Sequence, residues 1–381
     1  MLNKIVFSLI KWVPLRVKKQ FLENSNNVQD ALINLEISLK NLNTNSSKKV
    51  LNQINSNYLY QQAQKILDDC NQNGIHIIFY TDIIYPKDLI HCEDAPIILY
   101  AKGRIFPKEA TLVSIVGTRN CSEYGMDQCK EIVSFLSNYN VELVSGLAYG
   151  IDIYTHQLAN KFNIVNYAVL GSGIMNIYPK NHYHESQITA SNGMIISEYT
   201  PFTGPKSYHF PKRNRIIAGM SKCTVVIESP KKGGAIITAR LANDYNKEVF
   251  AVPGNNYQKQ SSGNNWLIEK HHATILNQPQ QIVEFLELLK KPPSGCEIRK
   301  LEYKKLKNTT LNNDEKRILN VISKKNKISF NEIQMQLQIQ TVALTVFLTV
   351  LLTNLEIKHL IKAKFGNFYK LNNNGIKDLL V

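Results

Sequence analysis

Phe210-Pro211-Lys212-Arg213-Asn214-Arg215-Ile216-Ile217-Ala218-Gly219, with Cys223-Thr224-Val225-Val226-Ile227-Glu228 close behind, is the stretch on which the reading of this chain turns. An aromatic and a proline precede three cations, and the apolar run beyond them reads as a buried strand. Proline in the first turn of a helix gives up no donor the turn would have used, and the free N–H groups there favour an anion. Phosphate suits the side chains. Lys212, Arg213 and Arg215 supply charge, Asn214 a neutral donor and acceptor, and Phe210 a flat face on which a base could stack. The same residues also suit the basic first turn of an ordinary surface helix with Phe210 as its hydrophobic staple.

Outward from this stretch, apolar β-branched runs recur at 112–116, 141–144, 167–170, 194–196, 224–227 and 249–252. Helical patterns lie between them, at the roughly thirty-residue spacing of a βαβ unit. Runs this continuous fit strands buried on both faces, so the spacing predicts an α/β domain with a doubly wound, mainly parallel sheet. Three runs end in glycine-bearing loops: Gly117-Thr118-Arg119, Ser145-Gly146-Leu147-Ala148-Tyr149-Gly150-Ile151-Asp152 and Gly171-Ser172-Gly173. The carboxyl ends of parallel strands form one edge, where ligands bind. Glycine there lets the backbone approach a phosphate, and Arg119 could add a bidentate contact. Lys231-Lys232-Gly233-Gly234-Ala235 is a further basic glycine turn opening a helix. Lys180, after the Tyr178-Pro179 turn, is a candidate phosphate contact or simply a solvated lysine. The polar 199–212 loop, which carries Lys206, is long enough to be functional.

The 381 residues suffice for two or three domains, and a formal net charge of +15 points to polyanionic partners. Lys, Asn and Ile abound throughout, so distribution matters more than the sum. Residues 201–250 hold nine Lys/Arg against three acids and 291–327 eleven against four, whereas 151–200 hold two against three. The excess is local, as a binding face requires. The six cysteines form no Cys-x-x-Cys pair and no cluster with metal spacing, which reads as the reduced thiols of a cytoplasmic protein; no metal or cofactor is expected. The basic stretch from Lys4 to Lys19 is broken by Pro14 and lacks a small-residue cleavage site, and no apolar run nears twenty residues. Neither a signal peptide nor a membrane span is expected.

Residues 1–73 contain no glycine and several helical periods, and read as a small helical domain whose Asn/Ser-rich breaks at 25–27 and 43–47 are turns. The sheet domain follows at 74–290, entered through extended segments at 75–80 and 95–100. Lys290-Lys291-Pro292-Pro293-Ser294-Gly295 opens a basic linker at 291–313. Helices expected at 314–323, 329–337 and 341–355, the second with a Ser329/Glu332 capping box, and a hairpin around Gly366 make a C-terminal winged-helix domain, 314–381. Its third helix has no Lys or Arg, which favours protein contact over reading DNA.

Two enzyme readings compete. Gly171-x-Gly173 echoes a dinucleotide fingerprint, but Asn176 stands where glycine or alanine is wanted and the strand is the third, not the first. Ser229-Pro230-Lys231-Lys232-Gly233-Gly234-Ala235 distantly echoes the loop of nucleotide phosphoribohydrolases, yet no acid follows before Asp244. Asp152 and Glu198 suit capping a helix or orienting a loop better than catalysis.

Taken together, Gly117-Thr118-Arg119, Ser145-Gly146-x-Ala148-x-Gly150-Ile151-Asp152, Leu170-Gly171-x-Gly173, Tyr178-Pro179, Ser197-Glu198, Phe210-Pro211-x-Arg213-Asn214-Arg215, Thr238-Ala239 and Val252-Pro253-Gly254 resemble, in order, the motifs of the DprA/Smf family of DNA-processing proteins. The resemblance covers about residues 75–290. It implies an extended Rossmann-like domain that binds single-stranded DNA without cleaving it, dimerises, and loads the RecA recombinase in natural transformation. It implies a DNA pocket lined by Arg119, Lys180 and Lys206 with Phe210 stacking on a base. Where many members have Ser-Gly-Ser, this chain has Gly233-Gly234-Ala235, and His272-Ala273 replaces a more usual Gly-Ala. The N-terminal domain resembles a helix-hairpin-helix region with Val13-Pro14-Leu15 in place of its glycine-bearing turn, so weak or no DNA binding is expected there.

Overall fold

The structure, a computed structural model, describes residues 1–104, 111–289, 313–323, 328–338, 341–357, 361–364 and 368–371. They fall into two units, Met1–Lys291 and Pro292–Val381. The expected linker, apart from Asn313, lies outside the described residues, as do Cys296 and the Gly366 turn.

The first unit opens with five helices: α1 (Leu2–Leu9), α2 (Leu15–Glu23), α3 (Val28–Leu42), α4 (Asn45–Ile54) and α5 (Asn57–Gln72). The polar breaks in the sequence are their N-caps. Asn27 Oδ1 accepts from the N–H groups of Gln29 and Asp30, and Thr44 and Ser47 form a capping box. Between α1 and α2 the left-handed position that a glycine would fill is taken by Trp12, at φ 61°. Lys18 and Lys19 are buried despite their place in a basic stretch. Lys18 Nζ donates to Phe7 O and Ser8 O at 3.1 Å, closing the end of α1, and burial lowers its pKa to about 8. Lys19 Nζ donates to Cys92 O and Glu93 O at 2.8 Å and so ties α2 to the sheet layer. One apolar core joins the helices to the sheet layer, from Ile5 in α1 to Leu267 in α12, and a second, which includes Val113, Leu143 and Val225, lies within the sheet layer.

The sheet layer then follows as β1 (His76–Phe79), α6 (Lys87–Ile90), β2 (Ile98–Gly103), β3 (Leu112–Val116), α7 (Glu123–Leu136), β4 (Glu142–Ser145), α8 (Ile151–Lys161), β5 (Asn166–Leu170), α9 (Tyr183–Asn192), β6 (Met194–Ser197), α10 (His209–Met220), β7 (Cys223–Val226), α11 (Gly234–Asp244), β8 (Glu248–Ala251), α12 (Ser262–Glu269), β9 (Thr274–Ile275) and α13 (Gln280–Phe285). Nine strands pair in the order β1-β2-β6-β5-β4-β3-β7-β8-β9. All neighbours from β6 to β9 are parallel, while β1–β2 and β2–β6 are antiparallel. The extended entry is thus an antiparallel edge. Every residue of β3, β5, β6 and β7 is buried, which is why these runs lack polar alternation.

His156 on α8 is wholly buried, with Nδ1 2.6 Å from Asn166 Oδ1 and Nε2 lacking a hydrogen-bond partner among the described residues. Burial is the main force pulling its pKa from 6.5 to about 4. The unfolded chain therefore takes a proton below pH 6.5 that the folded one refuses, so this contribution to stability is present at neutral pH and lost as pH falls toward 4. The loss comes to roughly 3 kcal/mol at about 1.4 kcal/mol per pH unit. Urea denaturation at pH 7 and pH 4.5 checks it, with His156→Gln expected to flatten the difference.

The second unit holds α14 (Asn313–Ser323), β10 (Ile328–Ser329), α15 (Phe330–Gln336), α16 (Val342–Ile357), β11 (Ile361–Lys364) and β12 (Phe368–Leu371). Its strands pair antiparallel in the order β10-β12-β11 around a separate core that includes Leu319, Ile333 and Leu352. The Ser329/Glu332 capping box is present. Among the described residues no helix is long and apolar enough to cross a membrane.

Candidate nucleic-acid interface

From β3 the chain steps outward through β4 and β5 to β6, then returns to lay β7 on the other flank of β3. At such a reversal the loops leaving the two central strands turn to opposite faces and leave a crevice at their carboxyl ends. A cavity of about 630 Å³ lies at this place, with Arg119, Lys206, Phe210, Asn214, Gly234 and Thr238 among its lining residues.

Each wall has a physical cause. Glu228, just past β7, holds the Arg119 loop. It accepts hydrogen bonds from Ser122 N (2.9 Å) and Ser122 Oγ (2.6 Å), and its own carbonyl accepts from Thr118 N at 2.7 Å. A second wall is the start of α11, where Gly233, Gly234 and Ala235 line the cavity and Gly233 provides no side-chain cap. Phe210 stands between them. Its ring lies 5.8 Å from Arg119 Cζ and 5.4 Å from the Tyr178 ring. Lys206 is exposed on the loop before α10, its Nζ 5.9 Å from the Tyr208 ring. Asn214 Nδ2 donates to Gly234 O at 3.3 Å and joins α10 to α11.

Two of the three cations between Phe210 and Ile216 are not at the surface. Helix α10 begins at His209, which makes Pro211 its third residue, and most of it is buried, with Pro211 and Lys212 its exposed residues and Phe210 and Asn214 half-buried. Arg213 is 4 % exposed and donates from Nη1 to Gly146 O at 2.6 Å and to Val169 O, tying the tips of β4 and β5 together. Asp152 lies beside it and accepts from the N–H groups of Gly117, Gly146 and Ala148; burial pushes its carboxyl upward, against the pull of Arg213 and those three donors. Arg215 is 6 % exposed and donates to Glu198 Oε1 at 2.5 Å. Lys212 is exposed but 3.6 Å from the same carboxylate. The expectation that Arg213 and Arg215 present charge to a phosphate is therefore corrected: both are buried and committed to the protein's own groups.

The glycines also serve packing more than phosphate approach. A Cβ on Gly117 would lie 2.5 Å from Ile151, on Gly146 2.5 Å from Arg213 Nη1, on Gly171 2.7 Å from Phe210 and on Gly173 2.2 Å from Thr200 O. Gly233 backs onto Ser229, and only Gly234 of the six faces open space. Lys180 is exposed next to Tyr178 and does not line the cavity. The sequence reading missed Glu228 as the anchor of the Arg119 loop, although an acid ending a buried strand was a signal for it, and missed Tyr178 as a wall.

A family model described as DNA recombination-mediator protein A matches residues 76–287, from the first residue of β1 past the end of α13. This chain belongs to that family. The DprA/Smf resemblance read from the motifs is thereby confirmed. Protein Smf of Escherichia coli (strain K12) is 35% identical over 217 residues, covering 57% of this chain and 58% of that protein's length. DNA processing protein DprA of Streptococcus pneumoniae is 34% identical over 242 residues, covering 61% and 79%. Its solved structure superposes with a TM-score of 0.55 at 27% identity over 71% of this chain and 98% of that one. DNA processing protein A of Helicobacter pylori, solved in a study of that protein's single-stranded DNA binding mode, gives a TM-score of 0.50 at 27% identity over 56% and 95%.

Proposed function

We propose that this chain binds single-stranded DNA without sequence preference, protects it, and helps load a RecA-type recombinase onto it during DNA uptake in natural transformation. It does so in the cytoplasm, as a homodimer, by binding and not by catalysis. The observation that carries the reading is a single cavity lined by Arg119, by Phe210 5.8 Å from its guanidinium, and by the uncapped start of α11. A backbone phosphate and a base need such a pair of partners side by side, and every base has a π-face, so the grip is indifferent to sequence. Membership of a recombination-mediator family and the DNA-binding relative from Helicobacter pylori support it. The recombinase and the dimer rest on the family resemblance. Among the described residues lining the cavity Asp152 is the only acid, and three backbone N–H groups occupy its carboxylate, which supports a binder over a phosphoribohydrolase. We read the second unit as a winged helix that contacts protein. Its α16 carries no Lys or Arg and exposes Val346, Phe347 and Val350.

Binding of mixed-sequence oligonucleotides measured from low to high salt tests the reading. Affinity for single strands is expected to fall steeply with salt and to exceed that for duplex of the same length. Salt-insensitive binding or a preference for duplex would sink it. Gly171→Ala pushes on the back of Phe210 and is expected to weaken single-strand binding roughly fivefold, the scale of one disturbed base stack.

A further inference from the structure

The cavity accounts for Phe210 and one wall of Tyr178 but leaves a group of aromatic residues beside it unexplained. Tyr149 and Tyr178 are 42% and 43% exposed and Tyr183 59%. A buried tyrosine ring fills space; three tyrosines this open, two on the loops after β4 and β5 and one at the first residue of α9, do not. Their positions connect. Tyr178 packs at 5.4 Å on Phe210, and the short 3-10 turn Lys180–His182 leads from it to Tyr183. Tyr149, from the loop after β4, meets the His182 ring edge-on at 4.7 Å, and His182 is itself fixed by Nδ1 lying 2.8 Å from Leu147 O. Two of the rings, Tyr149 and Tyr178, are thus braced by packed aromatic neighbours, and Lys180 is exposed on the short chain segment between Tyr178 and Tyr183, outside the cavity lining.

We propose that Tyr149, Tyr178 and Tyr183 form a stacking track that leads away from the cavity over the β4 and β5 loops and takes the bases of the nucleotides adjoining the one held at Phe210. Lys180, whose backbone contact the family resemblance already implies, lies on the chain between Tyr178 and Tyr183. Alternating aromatic faces and ammonium groups recognise unpaired polynucleotide, because paired bases cannot offer their faces. The inference rests on the single-strand reading above, and its test separates the two.

Fluorescence anisotropy of the full chain with oligothymidylates of increasing length reads the track directly. The wild type is expected to gain affinity as the oligonucleotide outgrows the cavity. The Tyr149→Ala/Tyr183→Ala double variant, which leaves the cavity lining intact, is expected to bind the shortest ligand as the wild type does and to lose the gain with length, by roughly tenfold or more for the longest strand. Tyr149→Phe/Tyr183→Phe keeps both rings and is expected to behave as wild type, which guards against a folding artefact. A double alanine variant with the full gain overturns the track, and so does one that loses short and long ligands alike. If the wild type binds no single strand at any length, it is the single-strand reading that fails.

Discussion

Arg213→Met is expected to destabilise the first unit by about 3–5 kcal/mol, the cost of leaving a buried charge without its partner. The substitution keeps much of the volume but strands Asp152 beneath the cavity and deprives the carbonyls of Gly146 and Val169 of their donor. Burial already lowers the Arg213 pKa to about 10, with the Asp152 charge opposing that shift, so the guanidinium is held in place by what it touches. Lysine cannot serve both carbonyls with a planar fork, and Arg213→Lys is expected to recover only part of the loss. Urea denaturation measures the effect. Asp152→Asn added to Arg213→Met is expected to cost less than the two single changes together, because the stranded charge is gone. A loss below about 1 kcal/mol for Arg213→Met would mean that the residue is not the tie between strand tips described above.

The second large effect concerns binding. Arg119→Ala combined with Lys206→Ala is expected to lower single-strand affinity by roughly ten- to a hundredfold at moderate salt, alike for all sequences. The slope of log affinity against log salt is expected to shrink by about 0.7 for each phosphate that the variant no longer neutralises. Both side chains are exposed at the cavity and neither makes an ion pair among the described residues, so the fold should be little affected. Weakening confined to particular base sequences would point to base readout instead.

Much of this was legible in the chain. Each of the six apolar runs became a strand within a residue or two of its expected limits, because burial on both faces removes polar residues and leaves an unmistakable block. The polar breaks at 25–27 and 43–47 became N-caps for a related reason: the side chains of Asn27 and Thr44 accept from the otherwise unpaired first-turn N–H groups of α3 and α4. Strand order was not legible, since nothing local tells β7 to lie beside β3, and with it the position of the crevice stayed hidden. Arg213 and Arg215 misled because charge in a sequence reads as surface, whereas α10 packs against α6 and α11 and over the strand tips and has almost no free face. The glycines misled in a similar way: absence of a side chain permits approach by any neighbour, and the neighbours here are Ile151, Arg213 and Phe210.

Photocrosslinking of a bromouridine-containing single strand to the full chain, with the attached peptides identified by mass spectrometry, puts the central claim to its most direct trial. Crosslinks should fall on the segments around Arg119, Tyr178 and Phe210 and vanish with excess unlabelled single strand. Crosslinks confined to α1–α5 or to the second unit would contradict it.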